Sequence, residues 1–384
     1  MSETLPKPHL QISSLPPVLP PVFIIADDLT GACDSAVQFL EKACTVRVCL
    51  DPTPVSGSIS FEPGSVVAFS TESRNGSASA SAHAAERVVA AISHRPEGSI
   101  LFKKVDSAGR GQIGAETIAV LTASRAELAL VAPSFPTQGR TVVDGTLHIR
   151  DSALRETSLH LPSLFPASQQ SLLGLVPAVS VPEMKNQIGH AVEQGQRILI
   201  CDAQTQDDLD RVVSAAHHIV RPILWAGSAG LARSLAASYS AHDRNALAGT
   251  ALANGRTLLF AGTDHPVTVV QLDELGRDPG FAKTHIHRVA WDLASAASLR
   301  AVFDEYPVGS LILTGGDTAA FVLKALGAVA VRLTGQLAPG IPWGIIEGGH
   351  AAGCRVITKS GGFGSPDALI HAVNFCSRRS CESA

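Results

Sequence analysis

Apolar residues in this chain fall in short runs, each broken by a polar or glycine-rich cluster and then followed by helical spacing. Phe23-Ile24-Ile25-Ala26 sets the pattern. It ends at Asp27-Asp28, passes Leu29-Thr30-Gly31, and continues with Ala32, Ala36, Val37, Phe39 and Leu40 at helical intervals. That predicts a buried strand feeding an amphipathic helix. Asp28 or Thr30 could cap the helix by accepting its free N–H groups. Val46–Leu50 and Ser65–Ser70 read as strands, Ser79–Ser93 as an Ala-rich helix, and Ile100-Leu101-Phe102 as a strand running into Lys103-Lys104-Val105-Asp106-Ser107. Glu127–Pro133, Arg197–Cys201 and Pro222–Ala226 are further strands, Thr205–His218 is a helix, and another helix begins at Leu231. Residues 151–182, rich in Leu, Ser and Pro, read as an irregular excursion.

After a small, polar stretch at 240–256 the alternation restarts. Thr257–Ala261 precedes Gly262-Thr263-Asp264. Leu311–Thr314 breaks at Gly315-Gly316-Asp317-Thr318 and continues as a helix to about Leu326. Val356-Ile357-Thr358-Lys359 leads into Ser360-Gly361-Gly362-Phe363-Gly364, after which Ser365 as N-cap and Pro366 at N1 predict a helix start. Strand and helix alternate throughout, so the expected fold class is α/β: two domains with largely parallel sheets and helices on both faces. A length of 384 residues fits two domains, because single cores stop growing at roughly 250–300 residues. The expected organisation is a disordered Pro-rich tail over 1–21, one domain over 22–245 and a second over 255–378.

Ligands of open α/β sheets sit beyond the carboxyl ends of the strands, which is where the polar clusters lie. Asp27 and Asp28 end the first strand, and Glu72 and Arg74 follow the third. Lys104, Asp106, Ser107 and Arg110 follow the fourth, with Gly109, Gly111 and Gly114 permitting close backbone approach. That mixture suits a substrate with one carboxylate and several hydroxyls. Arg140 could hold an anion bidentately or pair with an acid across its loop. The three glycine loops of the second half are strand–loop–helix turns whose N–H groups suit phosphate. No Walker loop and no protein-kinase motif set is present.

The remaining composition mainly excludes. A net charge of −4 without a basic, aromatic-laced stripe argues against nucleic acid as a partner. The chain start lacks the pattern of a signal peptide, and no apolar run reaches the roughly 18 residues of a spanning helix. No membrane partner and a cytoplasmic location are therefore expected. The seven cysteines form no CxxC pair, and their odd number argues against a complete disulfide framework.

Taken together, Ala26-Asp27-Asp28-Leu29-Thr30-Gly31-Ala32, Thr71-Glu72-Ser73-Arg74, Lys104-Val105-Asp106-Ser107, Gly139-Arg140-Thr141, Gly227-Ser228-Ala229-Gly230-Leu231, Gly315-Gly316-Asp317-Thr318-Ala319 and Thr358-Lys359-Ser360-Gly361-Gly362-Phe363-Gly364 resemble the four-carbon acid sugar kinase family. The resemblance covers about residues 22–378. It implies an N-terminal domain that binds an acid sugar such as threonate, erythronate or 3-oxo-tetronate, a C-terminal domain that binds ATP, and an active site in the cleft between them. The implied substrate ligands are Asp28, Arg74, Lys104, Val105, Asp106 and Ser107, with Arg140 as a further candidate. Asp28 or Asp106 is the candidate general base, Asp28 being preferred. The implied nucleotide ligands are Thr263, Gly315, Gly316, Asp317, Thr318, Gly361 and Gly362, with Lys359 offsetting phosphate charge. Mg²⁺ is the expected companion of ATP, and a homo-oligomer is compatible with the family. Ser107-Ala108-Gly109-Arg110-Gly111 departs from the family's usual Ser-Thr-hydrophobic-Arg-Gly. That departure motivates an alternative, a non-catalytic sensor of sugar acid and nucleotide.

Overall fold

A computed structural model describes residues 17–51, 60–150, 155–219, 221–242, 255–278, 284–288, 296–305 and 307–377. In the first half the strands are β1 (Val22–Ala26), β2 (Thr45–Cys49), β3 (Ser65–Ser70), β4 (Ile100–Lys104), β5 (Leu128–Ala132), β6 (Arg140–Val143), β7 (Thr146–Arg150), β8 (Glu156–His160), β9 (Leu173–Val176), β10 (Ile198–Cys201) and β11 (Ile223–Gly227). The second half supplies β12 (Arg256–Ala261), β13 (Thr284–Arg288), β14 (Val308–Thr314), β15 (Ala330–Ala338), β16 (Ile341–Glu347) and β17 (Arg355–Lys359).

Fourteen of these strands form one sheet in the order β13-β12-β14-β17-β16-β15-β2-β3-β1-β4-β11-β5-β10-β9. The two parallel sheets expected from the sequence are thus continuous, joined where β2 pairs antiparallel with β15. At that seam Arg47 lies directly opposite Arg332, a repulsive cross-strand pair. Glu347 on β16 lies between them, 2.6 Å from Arg47 Nε and 3.5 Å from Arg332 Nε.

β1 lies deep inside the sheet between β3 and β4, and all five of its residues are buried. A parallel strand covered on both faces reads as an unbroken apolar run. Side chains alternate between faces. Ile24 joins a core that runs without interruption into the second half through Leu258, Phe260, Leu311 and Leu313. On the opposite face the cores are separate: Phe23, Ile25 and Phe69 in the first half, Leu259, Ile312 and Ile357 in the second. The halves therefore share one face and part on the other.

Register places the site. Ala26 is opposite both Ser70 and Lys104, and Lys104 is opposite Gly227, so β1, β3, β4 and β11 end at one level and release their polar loops together.

Three expectations change. The excursion at 151–182 contains β8, which completes a small antiparallel sheet with β6 and β7, and then β9 on the edge of the main sheet; 151–154 lie outside the described residues. The β6–β7 turn is Asp144-Gly145, with φ of 47° and 67°, the Asp-Gly hairpin chemistry that favours positive φ at both positions. The last helix starts at Ala368 rather than Pro366, because the Ser365 carbonyl accepts the Ala368 N–H and the Ser365 hydroxyl turns to Asp367. The tail expected over 1–21 also ends earlier. Leu19 is fully buried, and its carbonyl accepts from Gly64 N and pairs with His242 Nε2. Residues 1–16, and 243–254 of the expected boundary, lie outside the described residues. Among the described residues, no helix is long and apolar enough to cross a membrane.

Candidate active site

Asp28 caps helix Leu29–Ala36. Its Oδ1 accepts Gly31 N–H at 3.0 Å and its Oδ2 accepts the Thr30 hydroxyl at 2.5 Å. Arg74, carried by the loop after β3, donates through Nη2 to Asp28 Oδ1 at 2.6 Å and grips Asp27 through Nε and Nη2 at 2.8 and 2.9 Å. Burial alone would raise the Asp27 pKa, but Arg74, with Lys103 and Lys104 behind it, outweighs burial and holds the carboxyl below its ordinary range. The sequence reading gives Arg74 to a substrate carboxylate. In the structure its guanidinium is engaged by buried carboxylates of its own chain, Asp27 and Asp28 by hydrogen bonds and Asp106 at 3.6 Å.

Lys103 and Lys104 are neighbours on β4, so they point to opposite faces. Lys103 is 3.1 Å from Glu116 Oε2 and donates to the Lys104 carbonyl at 2.6 Å, while Glu116 also accepts from Ser73. It is a structural ion pair. Lys104 reaches the cleft beside Gly31, where an added Cβ would lie 2.9 Å from its Nζ. Among the described residues its ammonium has no hydrogen bond or ion pair.

Asp106 closes the next turn on itself. It accepts the N–H groups of Ala108 and Arg110 at 3.2 and 3.1 Å, and Arg110 binds both its oxygens at 2.8 and 2.9 Å. Burial pushes its pKa up, but the Arg110 bonds and the charges of Arg74, Arg110 and Lys104 bring it well below the ordinary carboxylate range. Gly109, at φ 75°, allows this tight loop. The departure at Ala108-Gly109 is thus a closed turn around Asp106. Ser107 lines the cleft, whereas Val105 does not: its side chain is core and its N–H binds Gly227 O.

One residue that the sequence reading passed over belongs here. Asp34, one helical turn beyond Thr30, lines the same cleft and is only 5% exposed. Its Oδ1 is buried with no hydrogen-bond partner among the described residues. Burial, with some repulsion from Asp28 and despite attraction from Lys104, pushes its pKa up to about 7. The available signal was the spacing from Thr30 to Asp34, which places both on one helix face.

The second half brings Thr263, Gly315, Thr318 and Gly361 together. A Cβ at Gly315 would lie 3.1 Å from Thr318 Oγ1 and 3.4 Å from Thr263 Cβ, and one at Gly361 would lie 2.9 Å from Thr263 Oγ1. Asp317 is exposed on the first turn of helix Gly316–Ala325. In this loop Gly364, at φ 90°, has positive φ, whereas Gly361 and Gly362 do not. The pair instead leaves room for Thr263 and His265. Lys359, expected to offset phosphate charge, is turned into its own loop. Its Nζ donates inward to Thr268 Oγ1 and to the carbonyls of Ser360, Gly361 and Phe363 at 3.0–3.4 Å, and burial lowers its pKa to about 7.

The two clusters meet. A Cβ at Gly316 would lie 2.7 Å from Asp28 Oδ2 and 3.3 Å from Thr30 Oγ1. At the other rim, Phe363 packs edge-on to Phe135 with ring centroids 6.1 Å apart, and Arg140 lies over its ring at 5.7 Å while donating to Gln138 O. The cleft so bounded encloses about 450 Å³ including its mouth. Asp28, Asp34, Lys104 and Asp106 line one side, and Gly340, Ser360 and Phe363 the other.

This arrangement defines a two-part α/β protein with clustered acidic and basic side chains on one lip of a cleft and strand–glycine-loop–helix turns on the other. Residues 22–235 match the family model of a sugar-binding N-terminal domain, and residues 231–369 that of a nucleotide-binding C-terminal domain. The chain belongs to the four-carbon acid sugar kinase family. The D-threonate kinase of Cupriavidus necator is 31% identical, with 91% of this chain and 96% of that protein covered. The D-threonate kinase of Bordetella bronchiseptica is 29% identical, with 92% and 97% covered. Haemophilus influenzae protein HI1011 shares the fold, with a TM-score of 0.65 at 19% identity over 92% of this chain and all of that one.

Proposed function

We propose that this chain transfers the γ-phosphoryl group of ATP to a hydroxyl of a four-carbon sugar acid of the threonate, erythronate or 3-oxo-tetronate type. The coarser class, a small-molecule kinase, follows from family membership. One observation carries the finer reading: Gly316, at the head of a glycine-loop helix, abuts Asp28, at the head of the acid-rich cluster. A phosphoryl donor on the glycine-loop lip and an acceptor on the acid-rich lip would meet at that point. Phosphoryl transfer depends mainly on such positioning and on charge neutralisation.

Lys104, whose ammonium has no hydrogen bond or ion pair among the described residues, receives the substrate carboxylate. Arg74 holds Asp28 in place and Arg110 holds Asp106, and the remaining lone pair of Asp28 accepts a substrate hydroxyl. Thr263, Gly315 to Thr318 and the Gly361-Gly362 loop surround the phosphates, with Lys359 fixing the loop's shape from below. Among the described residues no three His, Cys, Asp or Glu side chains gather as a metal cage. That fits an ion carried on nucleotide phosphates and mostly hydrated, as Mg²⁺ commonly is. No side chain is assigned to it.

The test is ADP release with ATP and Mg²⁺ across a panel of tetronates, their 3-oxo forms and longer and shorter chain acids. Turnover with a four-carbon acid is expected. Binding of the acid and nucleotide without turnover by any acid would support the sensor alternative instead.

A further inference from the structure

We infer that Asp34 is a catalytic residue of the transfer, the group that takes the proton from the attacking substrate hydroxyl. The inference rests on the kinase reading above. In the step, the hydroxyl oxygen bonds to the γ-phosphorus of ATP. The bond from that phosphorus to the β–γ bridging oxygen breaks, its electron pair leaving with ADP. The hydroxyl proton passes to the Asp34 carboxylate and from there to solvent.

Three observations favour Asp34 over the carboxylates that the sequence singled out. The first is occupancy. Asp28 accepts from Thr30, Gly31 and Arg74, so three of its roughly four acceptor positions are filled. Asp106 accepts four hydrogen bonds from the Ala108–Arg110 turn. Asp34 has a buried Oδ1 with no donor. Buried polar atoms nearly always have partners, and one left without a donor on a residue that lines a cleft points to a ligand.

The second is position. Asp34 stands on the helix that begins at Asp28, one turn beyond Thr30, and Asp28 and Thr30 are the residues that Gly316 abuts. The carboxyl thus lies near the meeting point of the two lips, beside the unpaired Lys104.

The third is electrostatic. Lys104 from β4 and Asp28 at the head of its own helix are the charges that act on Asp34: Lys104 only partly offsets the burial, and Asp28 adds to it. A carboxyl whose affinity for protons is raised toward neutrality is a stronger base than Asp27 or Asp106, both of which are held below their ordinary range.

A purely structural Asp34 would affect stability and leave the chemical step alone, which separates the two readings. The experiment measures kcat, KM and the thermal midpoint of wild type and Asp34→Asn, with ATP and whichever four-carbon acid turns over, from pH 5 to 9. Wild-type kcat should fall on the acid side with an apparent pKa near 7. In Asp34→Asn, kcat should drop by on the order of 10²–10⁴, the acid limb should disappear, and acid and nucleotide affinities by calorimetry should stay within a few-fold. Asp34→Asn turnover within a few-fold of wild type overturns the inference and leaves the kinase reading intact. So does a wild-type kcat that is flat through pH 7, a measurement that stands even if the variant does not fold. A wild type that turns over no acid overturns the kinase reading, and this inference with it.

Discussion

The Cα of Gly316 faces the carboxylate of Asp28 so closely that a methyl group there would lie 2.7 Å from Oδ2. Asp28 cannot simply swing aside, because Arg74, Thr30 and the Gly31 N–H hold it. Gly316→Ala should therefore force the lips apart. We expect a loss of about 1–3 kcal/mol of stability, as for overpacked sites, and a larger fractional loss of kcat than of nucleotide affinity. Denaturant unfolding and steady-state kinetics on the same preparation measure both; unchanged kcat would show that the contact does not set the geometry.

Arg74→Ala should be a stability variant first. It leaves Asp27 and Asp28, 2% and 3% exposed, without their common cation. Breaking a buried pair from one side costs about 3–5 kcal/mol. Chemical denaturation should register that loss, and a variant as stable as wild type would contradict the pairing.

Lys104→Met should still fold, since among the described residues no group forms a hydrogen bond or ion pair with its ammonium. If Lys104 receives the substrate carboxylate, KM for the acid should rise roughly ten- to hundredfold, the equivalent of a charged hydrogen bond of about 1.5–3 kcal/mol. Lys104 also lowers the Asp34 pKa. Its removal should move the acid limb of the kcat profile to higher pH.

Stability should depend on pH with a sign opposite to that of ordinary acid denaturation. Burial raises Asp34 from 3.8 to about 7 and Glu72 from 4.5 to about 7. Between those limits the folded state holds more protons than the unfolded state, so their contribution falls as pH rises through the window. Thermal midpoints of wild type should decline from pH 5 to 7.5 relative to those of Asp34→Asn. Parallel curves for the two proteins would refute the assignment.

Lys359→Met should loosen the Ser360–Phe363 turn, whose carbonyls accept from the Lys359 ammonium. Nucleotide affinity should fall while acid affinity on the opposite lip is retained. Calorimetric titration of each ligand into the variant decides this, and equal weakening of both would point to general unfolding.

The sequence alone determined the local alternation. Apolar runs such as Phe23–Ala26 can be buried on both faces only in a covered parallel sheet. Polar and glycine clusters after those runs must then fall at strand ends, because the chain turns there. That made Asp28, Lys104, Asp106, Gly315 and Gly361 legible as candidate site residues. The Asp144-Gly145 turn carries a local signal, its preference for positive φ, but the sequence reading passed over it, and the weak periodicity of 151–182 hid β8.

Tertiary structure decided how those residues are partnered. Arg74 pairs with Asp27 and Asp28 across 47 and 46 positions of sequence, and no local pattern encodes that choice. Which of Lys103 and Lys104 faces the cleft depends on the register of β4 against β1 and β11. Whether Lys359 meets a ligand or its own loop depends on the path of that loop. The continuous sheet depends on β2 finding β15, elements separated by most of the chain. Asp34 shows the division most sharply. Its place on a helix face follows from spacing, but its open Oδ1 exists only because the packed cleft buries it without supplying a donor.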